Sequence, residues 1–321
     1  MGDTQMKSTS SNSSIYLPPS ERFEKLEARN TNYCFDLERD VRWEDIDSPG
    51  IYFTDEMLAM SGIDTSLFDS IDGLSETFQW AFAVTICEVI GPLEENLIIK
   101  FLKEERMNGR LPNSRSIELF DEEEVKHVHL FHRLGHLLKA KRPDIAGLLD
   151  RRLAPLQWGV ELDYLDDVSR HFINWLSFIY FEEYTLYFYD ALKEGHNVQP
   201  TWLSAHYAHM REETQHVITD MGYLERLEID DKTREYLGRL YMEGQLEESG
   251  TFPVMAGAVL NFIADLYPAV KDLPGFMDPV LNPEVRKQGF LQKLNYKNFF
   301  ARTKDASRFS TFEAELFPGG Y

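Results

Sequence analysis

The sequence predicts an all-α fold, a four-helix bundle with additional flanking helices. Helical periodicity of apolar residues dominates the chain, and alternating strand patterns between turn signals are scarce after about residue 55. At 321 residues the chain is long enough to bury a large core. Four long helical segments carry acidic or histidine side chains on otherwise apolar faces, and two of these segments contain the motif ExxH. This combination is typical of a helical bundle that encloses a polar site.

The first part of the chain is predicted to contribute little regular structure. Residues 1–20 are rich in serine and other polar residues and read as a disordered lead-in. Residues 21–74 are expected to be irregular or to form short helices. We expect residues 21–321 to make up one helical domain, with the bundle at about 75–230 and C-terminal helices in 231–321, although two domains remain open at this length.

Turn and capping residues set the limits of the long helices. Gly109, Pro112 and Asn113 end the first helix, Gly195 is the C-cap of the third, and Pro200 stands near the start of the fourth. The predicted ranges of the four are about 76–106, 116–141, 161–194 and 200–228. A short helix follows the second, and further helices are predicted at about 232–248, 253–266 and 283–302.

The charge of the chain restricts its partners. The formal net charge is −21, from 54 acidic and 33 basic residues. Nucleic acids and anionic membranes both require a positive protein surface, so the prediction is no nucleic acid and no membrane. An acidic carrier protein would also be repelled, which favours a small free molecule as substrate.

The cysteines and the N-terminus indicate a cytoplasmic protein. Cys34 and Cys87 match no zinc spacing and form no disulfide framework. The N-terminus lacks the basic start and apolar middle of a signal peptide, and no run approaches the roughly twenty apolar residues that span a bilayer. A homodimer remains open.

The second helix carries one polar pair in an apolar face. Glu124 and His127 are three residues apart, so they lie on the same side of the helix as its apolar stripe. Burying a carboxylate and an imidazole there would cost several kcal/mol unless something binds them, and a metal ion does so. The alternative is that DEEEVKH is a solvated charged face and the motif arose by chance.

The fourth helix carries a more specific pattern. His209, Glu213 and His216, at spacings of four and three, share one face, and Asp220 on that face could orient a ligand histidine. The alternative is a surface helix with an ion-paired face. A second ExxH on a separate helix favours the metal interpretation of both.

The other two long helices supply single acids. The third contains adjacent acids, Glu182 and Glu183, and helix faces alone do not decide between them. In the first helix Glu88 is the one acid inside the run WAFAVTICEVIGPL and is the favoured candidate. Glu94 and Glu95 stand where the helix becomes polar and read as surface acids, with Glu95 kept as the reserve.

Together these residues give a lone Glu, then EVKH, a lone Glu and HMREETQH. This order resembles the ferritin-like diiron arylamine N-oxygenases, the p-aminobenzoate N-oxygenase family. The resemblance covers about residues 75–230. Its distinctive feature is a histidine four residues before the second ExxH, which His209 matches, and the family's ligand intervals select Glu182 and come close to Glu88. The contexts EEEV and REET depart from the more frequent DExxH form.

The resemblance implies a ferritin-like bundle with two iron ions held by Glu88, Glu124, His127, Glu182, His209, Glu213 and His216, with Glu124 and Glu213 bridging. Carboxylates with imidazoles also suit manganese. The implied activity is O2-dependent N-oxygenation of a small-molecule amine, with an electron donor and with no catalytic residue beyond the ligands.

Three alternatives remain. A diiron C–H hydroxylase or desaturase would use the same ligands. A non-enzymatic iron-storage or metal-sensing bundle would bind metal without a substrate, and in a helical interaction protein the ExxH pairs would be a coincidence.

Overall fold

The computed structural model describes residues 15–28, 34–112, 114–154, 162, 164–247 and 250–307. Within these ranges the regular structure is helical and no β-strand occurs, so the all-α prediction is confirmed. The α-helices are α1 Glu21–Glu27, α2 Leu37–Asp40, α3 Asp55–Met60, α4 Leu74–Leu93, α5 Lys100–Met107, α6 Arg115–Lys141, α7 Pro143–Leu153, α8 Asp167–Lys193, α9 Pro200–Arg226, α10 Asp231–Leu246, α11 Thr251–Leu266, α12 Asp278–Leu281, α13 Pro283–Asn295 and α14 Ala301–Ser307. A π-helix, Glu94–Ile99, joins α4 to α5.

Helices α4 and α6 form one antiparallel pair. The indole Nε1 of Trp80, near the start of α4, donates a hydrogen bond to the carbonyl of Leu138, near the end of α6, over 2.8 Å. Further along, glycines allow close packing, since an added Cβ at Gly91 would lie 3.1 Å from the ring of His132. At Gly135 an added Cβ would lie 3.1 Å from Cys87. The pair therefore brings the end of α4 level with the middle of α6.

The end of α4 is irregular in a way that matters for the site. Pro92 lies inside α4 and has no N–H to donate to the preceding turn. The chain continues directly into the π-helix, and the side chain of Asn96 donates to the carbonyl of Pro92 over 2.9 Å. A π-turn adds one residue to the turn, so it changes which side chains face the interior. Glu94 is the first residue of this segment.

Helices α8 and α9 form a second antiparallel pair. The rings of Trp175 and Tyr223 stack at a centroid distance of 4.9 Å, and at the other end the rings of Phe188 and His206 lie 4.4 Å apart. Helix α8 begins at Asp167 because the side chain of Asp166 accepts from the backbone of its first turn. The predicted start at about 161 is therefore too early, although residue 161 itself lies outside the described residues.

The two pairs meet through α6 and α9, which run side by side, and through the contact of Glu94 with α9. Helices α10 and α14 pack on α8, and α11 packs on α4 and α7. This is a four-helix arrangement with flanking helices. The narrower ferritin-like assignment and the limits of the single domain remain predictions.

The C-terminal helices differ from the prediction at one point. The helix predicted at about 283–302 is two helices, because Lys297 and Asn298 have positive φ values of 42° and 65°. Left-handed residues cannot continue a right-handed helix. Helix α13 therefore ends at Asn295, and α14 begins again at Ala301.

Residues 15–20, the part of the predicted disordered lead-in that the structure describes, pack against the bundle. Tyr16 is buried, its hydroxyl lies 2.7 Å from His171 Nδ1, and it accepts from Trp175 Nε1 over 2.7 Å. It also pairs with Leu227 in an isolated bridge. The first fourteen residues lie outside the described ranges.

Among the described residues, one stretch passes the length and composition test for crossing a membrane. It is Asp231–Leu266, with a mean hydropathy of 1.2, and 59% of its apolar window is buried inside the protein. The stretch contains α10 and α11, and core helices of this kind pass the same test.

Candidate metal centre

Buried acids and histidines converge where the two helix pairs meet. Each is no more than 2% exposed: Glu94, Glu124, His127, Glu182, His209, Glu213 and His216. Removing so many carboxylates and imidazoles from water is costly unless they bind one another, hydrogen-bond donors or cations. Their mutual distances show how they are arranged.

Glu213 lies at the centre of this cluster. Its Oε1 is 2.5 Å from His209 Nε2 and 3.3 Å from His127 Nδ1. Its Oε2 is 3.0 Å from His216 Nδ1. The two oxygens of one carboxylate thus face imidazoles on two sides.

The cluster resolves into two overlapping groups of four residues. One contains Glu94, His127, His209 and Glu213, and the other contains Glu124, His127, Glu213 and His216. In each group the potential ligand atoms lie within 4.8 Å of one another, which is metal-binding distance. The groups share His127 and Glu213, and either group could hold a metal ion.

Glu182 lies beside the second group. Its Oε1 is 3.9 Å from His216 Nδ1. Its neighbour Glu183, which the sequence left as an alternative, instead accepts hydrogen bonds from the backbone and hydroxyl of Thr303 at 3.2 and 2.7 Å. Glu183 therefore attaches α14 to α8, and Glu182 is the acid that the third long helix brings to the cluster.

Two further carboxylates set the orientation of the imidazoles. His127 Nε2 lies 2.9 Å from Glu212 Oε2, and His216 Nε2 lies 2.9 Å from Glu123 Oε2. These carboxylates accept from the outer nitrogens, which leaves the Nδ1 atoms facing the cluster. Histidine ligands of metals usually donate their other nitrogen in this way. The sequence indicated Asp220 for this role and did not indicate Glu123 or Glu212, although each directly precedes an ExxH glutamate.

Glu212 accepts two further hydrogen bonds, one from α6 and one from the segment before α2. Its Oε1 accepts from Lys126 Nζ over 2.6 Å and from the backbone N–H of Phe35 over 2.8 Å. The ring of Phe35 stacks parallel to His127 at 5.9 Å. The segment before α2 therefore fixes the His127 ring, and this contact has no signal in the local sequence.

Several ligand-type atoms in the cluster lack a hydrogen bond from the described residues. They include both oxygens of Glu94, Glu124 and Glu182, both nitrogens of His209 and the Nδ1 of His127. Some of these carboxylate oxygens lie close to an imidazole nitrogen, as Glu124 Oε1 does at 2.9 Å from His216 Nδ1. The geometry of these close pairs is not that of a hydrogen bond. Buried polar atoms normally have partners, and a cation would supply these with one.

The pKa values of the cluster residues reflect these close contacts between acids and imidazoles. Burial acts to raise the pKa of Glu213, yet His209, His216 and His127 together hold that pKa well below its usual range. Burial acts to lower the pKa values of His127 and His216, but Glu213 and the nearby acids raise both above the usual value. A metal ion bound here would compete with protons for the imidazole nitrogens.

The structure does not bring Glu88, the predicted ligand of the first long helix, into the cluster. Its Oε1 pairs with Lys139 Nζ over 2.7 Å, and its side chain is 39% exposed. The reserve, Glu95, is exposed, whereas Glu94, read as a surface acid, is fully buried and lies 3.2 Å from His209 Nε2. Helix α4 is apolar on nearly every side, so periodicity could not identify its inner face, and the π-helix turns Glu94 inward.

No family model, curated protein or solved structure matches this chain.

Metal analysis can test whether Glu94, and not Glu88, is the metal ligand from the first long helix. Glu94→Ala is expected to lower the bound iron or manganese from about two ions per chain to about one or less, because it removes a ligand from the first group. Glu88→Ala is the matched control on the same helix and should retain the wild-type metal content. The reverse result, with metal lost only in the Glu88 variant, would contradict the geometry described above.

Proposed function

We propose that the protein is a diiron oxygenase that uses O2 to oxidise the amine nitrogen of a small molecule. The observation that carries the proposal is the pair of overlapping ligand groups that share Glu213 and His127. Carboxylate oxygens and imidazole nitrogens without thiolates suit iron or manganese better than structural zinc. The buried ligand atoms that lack hydrogen bonds fit two cations at this place.

The structure supports a particular division of the ligands. Glu94 and His209 would hold one ion, and Glu182 and His216 would hold the other. Glu213, which belongs to both groups, would contact both ions, Glu124 would join the second group, and His127 adjoins both groups. Two ferrous ions would supply two electrons for the reduction of O2. The chain itself contributes the orientation of the imidazoles through Glu123 and Glu212.

A cavity beside the cluster favours an enzyme over a storage protein. Its volume is about 440 Å³, within the range of small-molecule sites. It is lined by Phe178, Phe181 and Thr185, which surround Glu182 on α8, and by Leu93, which precedes Glu94. His206, one turn before His209, also lines it. These mostly apolar walls would exclude water from the substrate, whereas a storage bundle needs no such cavity.

The choice of nitrogen as the oxidised atom rests on the pattern HMREETQH, whose first histidine, His209, lies in the cluster as the resemblance implies. The net charge of −21 favours a free amine over one attached to an acidic carrier. We also propose a cytoplasmic protein that receives electrons from a separate donor.

A single-turnover experiment tests this proposal without knowledge of the donor. Protein loaded with Fe(II) and reduced chemically is mixed with 18O2 and a panel of primary amines, each paired with its carbon analogue, and products are identified by mass spectrometry. We expect oxygen on nitrogen in at least one amine, with Glu213→Gln inactive. Oxygen on carbon or loss of two hydrogens would indicate a hydroxylase or desaturase. Iron binding with no substrate consumed would contradict an enzymatic role.

A further inference from the structure

Lys293 on α13 is a buried cation at the wall of the same cavity. It is 6% exposed, and its ammonium lies 4.1 Å from the ring centroid of Phe252 and 5.5 Å from that of Tyr184. Burial lowers the pKa of Lys293 to about 7. The ammonium has neither an ion pair nor a hydrogen bond with any described residue, and aromatic rings compensate only part of the cost of burying it.

Other lysines of this protein with reduced exposure are paired. Lys126 pairs with Glu212 over 2.6 Å, and Lys139 pairs with Glu88 and Asp150 over 2.7 and 2.8 Å. Buried charges in proteins are generally paired or hydrogen-bonded. Lys293 therefore differs from them in a way that packing does not explain, and it lies in a cavity where a ligand could pair with it.

The cavity extends from Lys293 to His206, one turn before His209 of the cluster. The ring of Tyr184, beside Lys293, lies 6.1 Å from that of Phe188, and Phe188 lies 4.4 Å from His206. All of these residues line the cavity, and His206 is one turn before His209. A molecule in the cavity could therefore touch Lys293 at one end and His206 at the other.

The rest of the lining limits the kind of molecule. Between the two ends the walls are largely aromatic and aliphatic, with a few uncharged polar groups such as Asn174, Ser177 and Thr185. The acids in the lining, Glu243 and Glu247, are solvent-exposed and do not pair with Lys293. Among the described residues that line the cavity, Lys293 is the only lysine or arginine.

We propose that Lys293 binds the carboxylate of a substrate with an apolar body and so places the opposite, amine end of that substrate near His206, one turn before His209 of the cluster. This rests on the proposed function in treating the cavity as the substrate site. The recognition of the carboxylate by Lys293 needs no metal, so it can be measured separately. Lys293 is a specificity-determining residue that fixes which acids enter and which of their atoms reach the cluster.

The test compares an acid with its neutral analogue. 6-Phenylhexanoate and 6-phenylhexanamide are titrated calorimetrically, at about pH 6 where the ammonium is charged, into metal-free and Mn(II)-loaded protein. We expect wild type to bind the acid about tenfold or more tighter than the amide, because a hydrogen bond to a charged group is lost with the amide. Lys293→Met should bind both about equally, and Lys232→Met, which removes an exposed charge from α10, should keep the preference.

The outcomes separate this proposal from the proposed function. Equal binding of acid and amide to wild type, no binding of either, or an unchanged preference in Lys293→Met would overturn the role of Lys293. If Lys293→Met does not fold, Lys293→Gln gives the same comparison. A preference that persists in metal-free protein, together with failure of turnover, would contradict the oxygenase alone and leave Lys293 as an anion-binding residue.

Discussion

Glu213→Gln is expected to abolish the binding of both metal ions and the stability that they bring. Glu213 belongs to both ligand groups, and its two oxygens face His209 and His127 on one side and His216 on the other. Glutamine keeps the volume of the side chain but provides only one weak oxygen donor. Because the groups share this carboxylate, its loss should empty both positions and not one.

The expected change in stability follows from the linkage between metal binding and folding. Each ion present at about a thousand times its dissociation constant stabilises the folded state by about 4 kcal/mol. Two ions should therefore raise the melting temperature of wild type by roughly 10 °C or more. Elemental analysis and thermal unfolding with and without Mn(II) measure both effects. Glu88→Ala should show the full wild-type increase, and an equally large increase in Glu213→Gln would refute the bridging position.

The helical period explains which parts of the centre could be predicted. Glu124 with His127, and His209 with Glu213 and His216, lie on regular helices, where spacings of three and four place side chains together. Their joint presence in the cluster therefore follows from local sequence. The choice of Glu182 over Glu183 required the interval pattern of the resemblance, because α8 buries side chains all round.

The first-helix ligand could not be predicted in this way. A regular helix places Glu88 and Glu95 on one side, about 20° apart, and Glu94 on another. The π-helix that begins at Glu94 changes this relation, and the only local signal for it is Pro92. A proline within a helical pattern that also contains candidate ligands is therefore a reason to consider each neighbouring acid.

The supporting contacts depend on tertiary structure. The hydrogen bond from Phe35 to Glu212 joins residues 177 positions apart in the chain, and no periodicity predicts it. The same holds for the pairing of His216 with Glu123, which lie on different helices. Both acids accept from the outer nitrogens of the imidazoles, and fixing the orientation of ligand histidines in this way reduces the cost of binding an ion.

Lys293→Met is expected to stabilise the protein, with an effect that depends on pH. The pKa of this lysine falls from 10.5 in the unfolded chain to about 7 in the folded protein because burial penalises the ammonium. Burying a basic group whose pKa is lowered by folding reduces the free energy of unfolding. This cost is absent when the pH is above the pKa of the unfolded chain, and it is complete when the pH is below the pKa of the folded protein. Stability is therefore lost as pH falls from 10.5 to about 7.

Methionine has a similar length and no charge, so it removes this cost. The stabilisation by Lys293→Met should reach up to about 4 kcal/mol at pH 7 and decrease to about 1 kcal/mol at pH 9.5. Urea unfolding of wild type and variant at both pH values measures the difference, and Lys232→Met, with its exposed ammonium, should change little at either. A destabilised Lys293→Met would mean that the ammonium has a partner that stabilises the fold. Stabilisation together with loss of acid binding would mean that the protein keeps a costly charge because the charge recognises its ligand, as residues of binding sites often do.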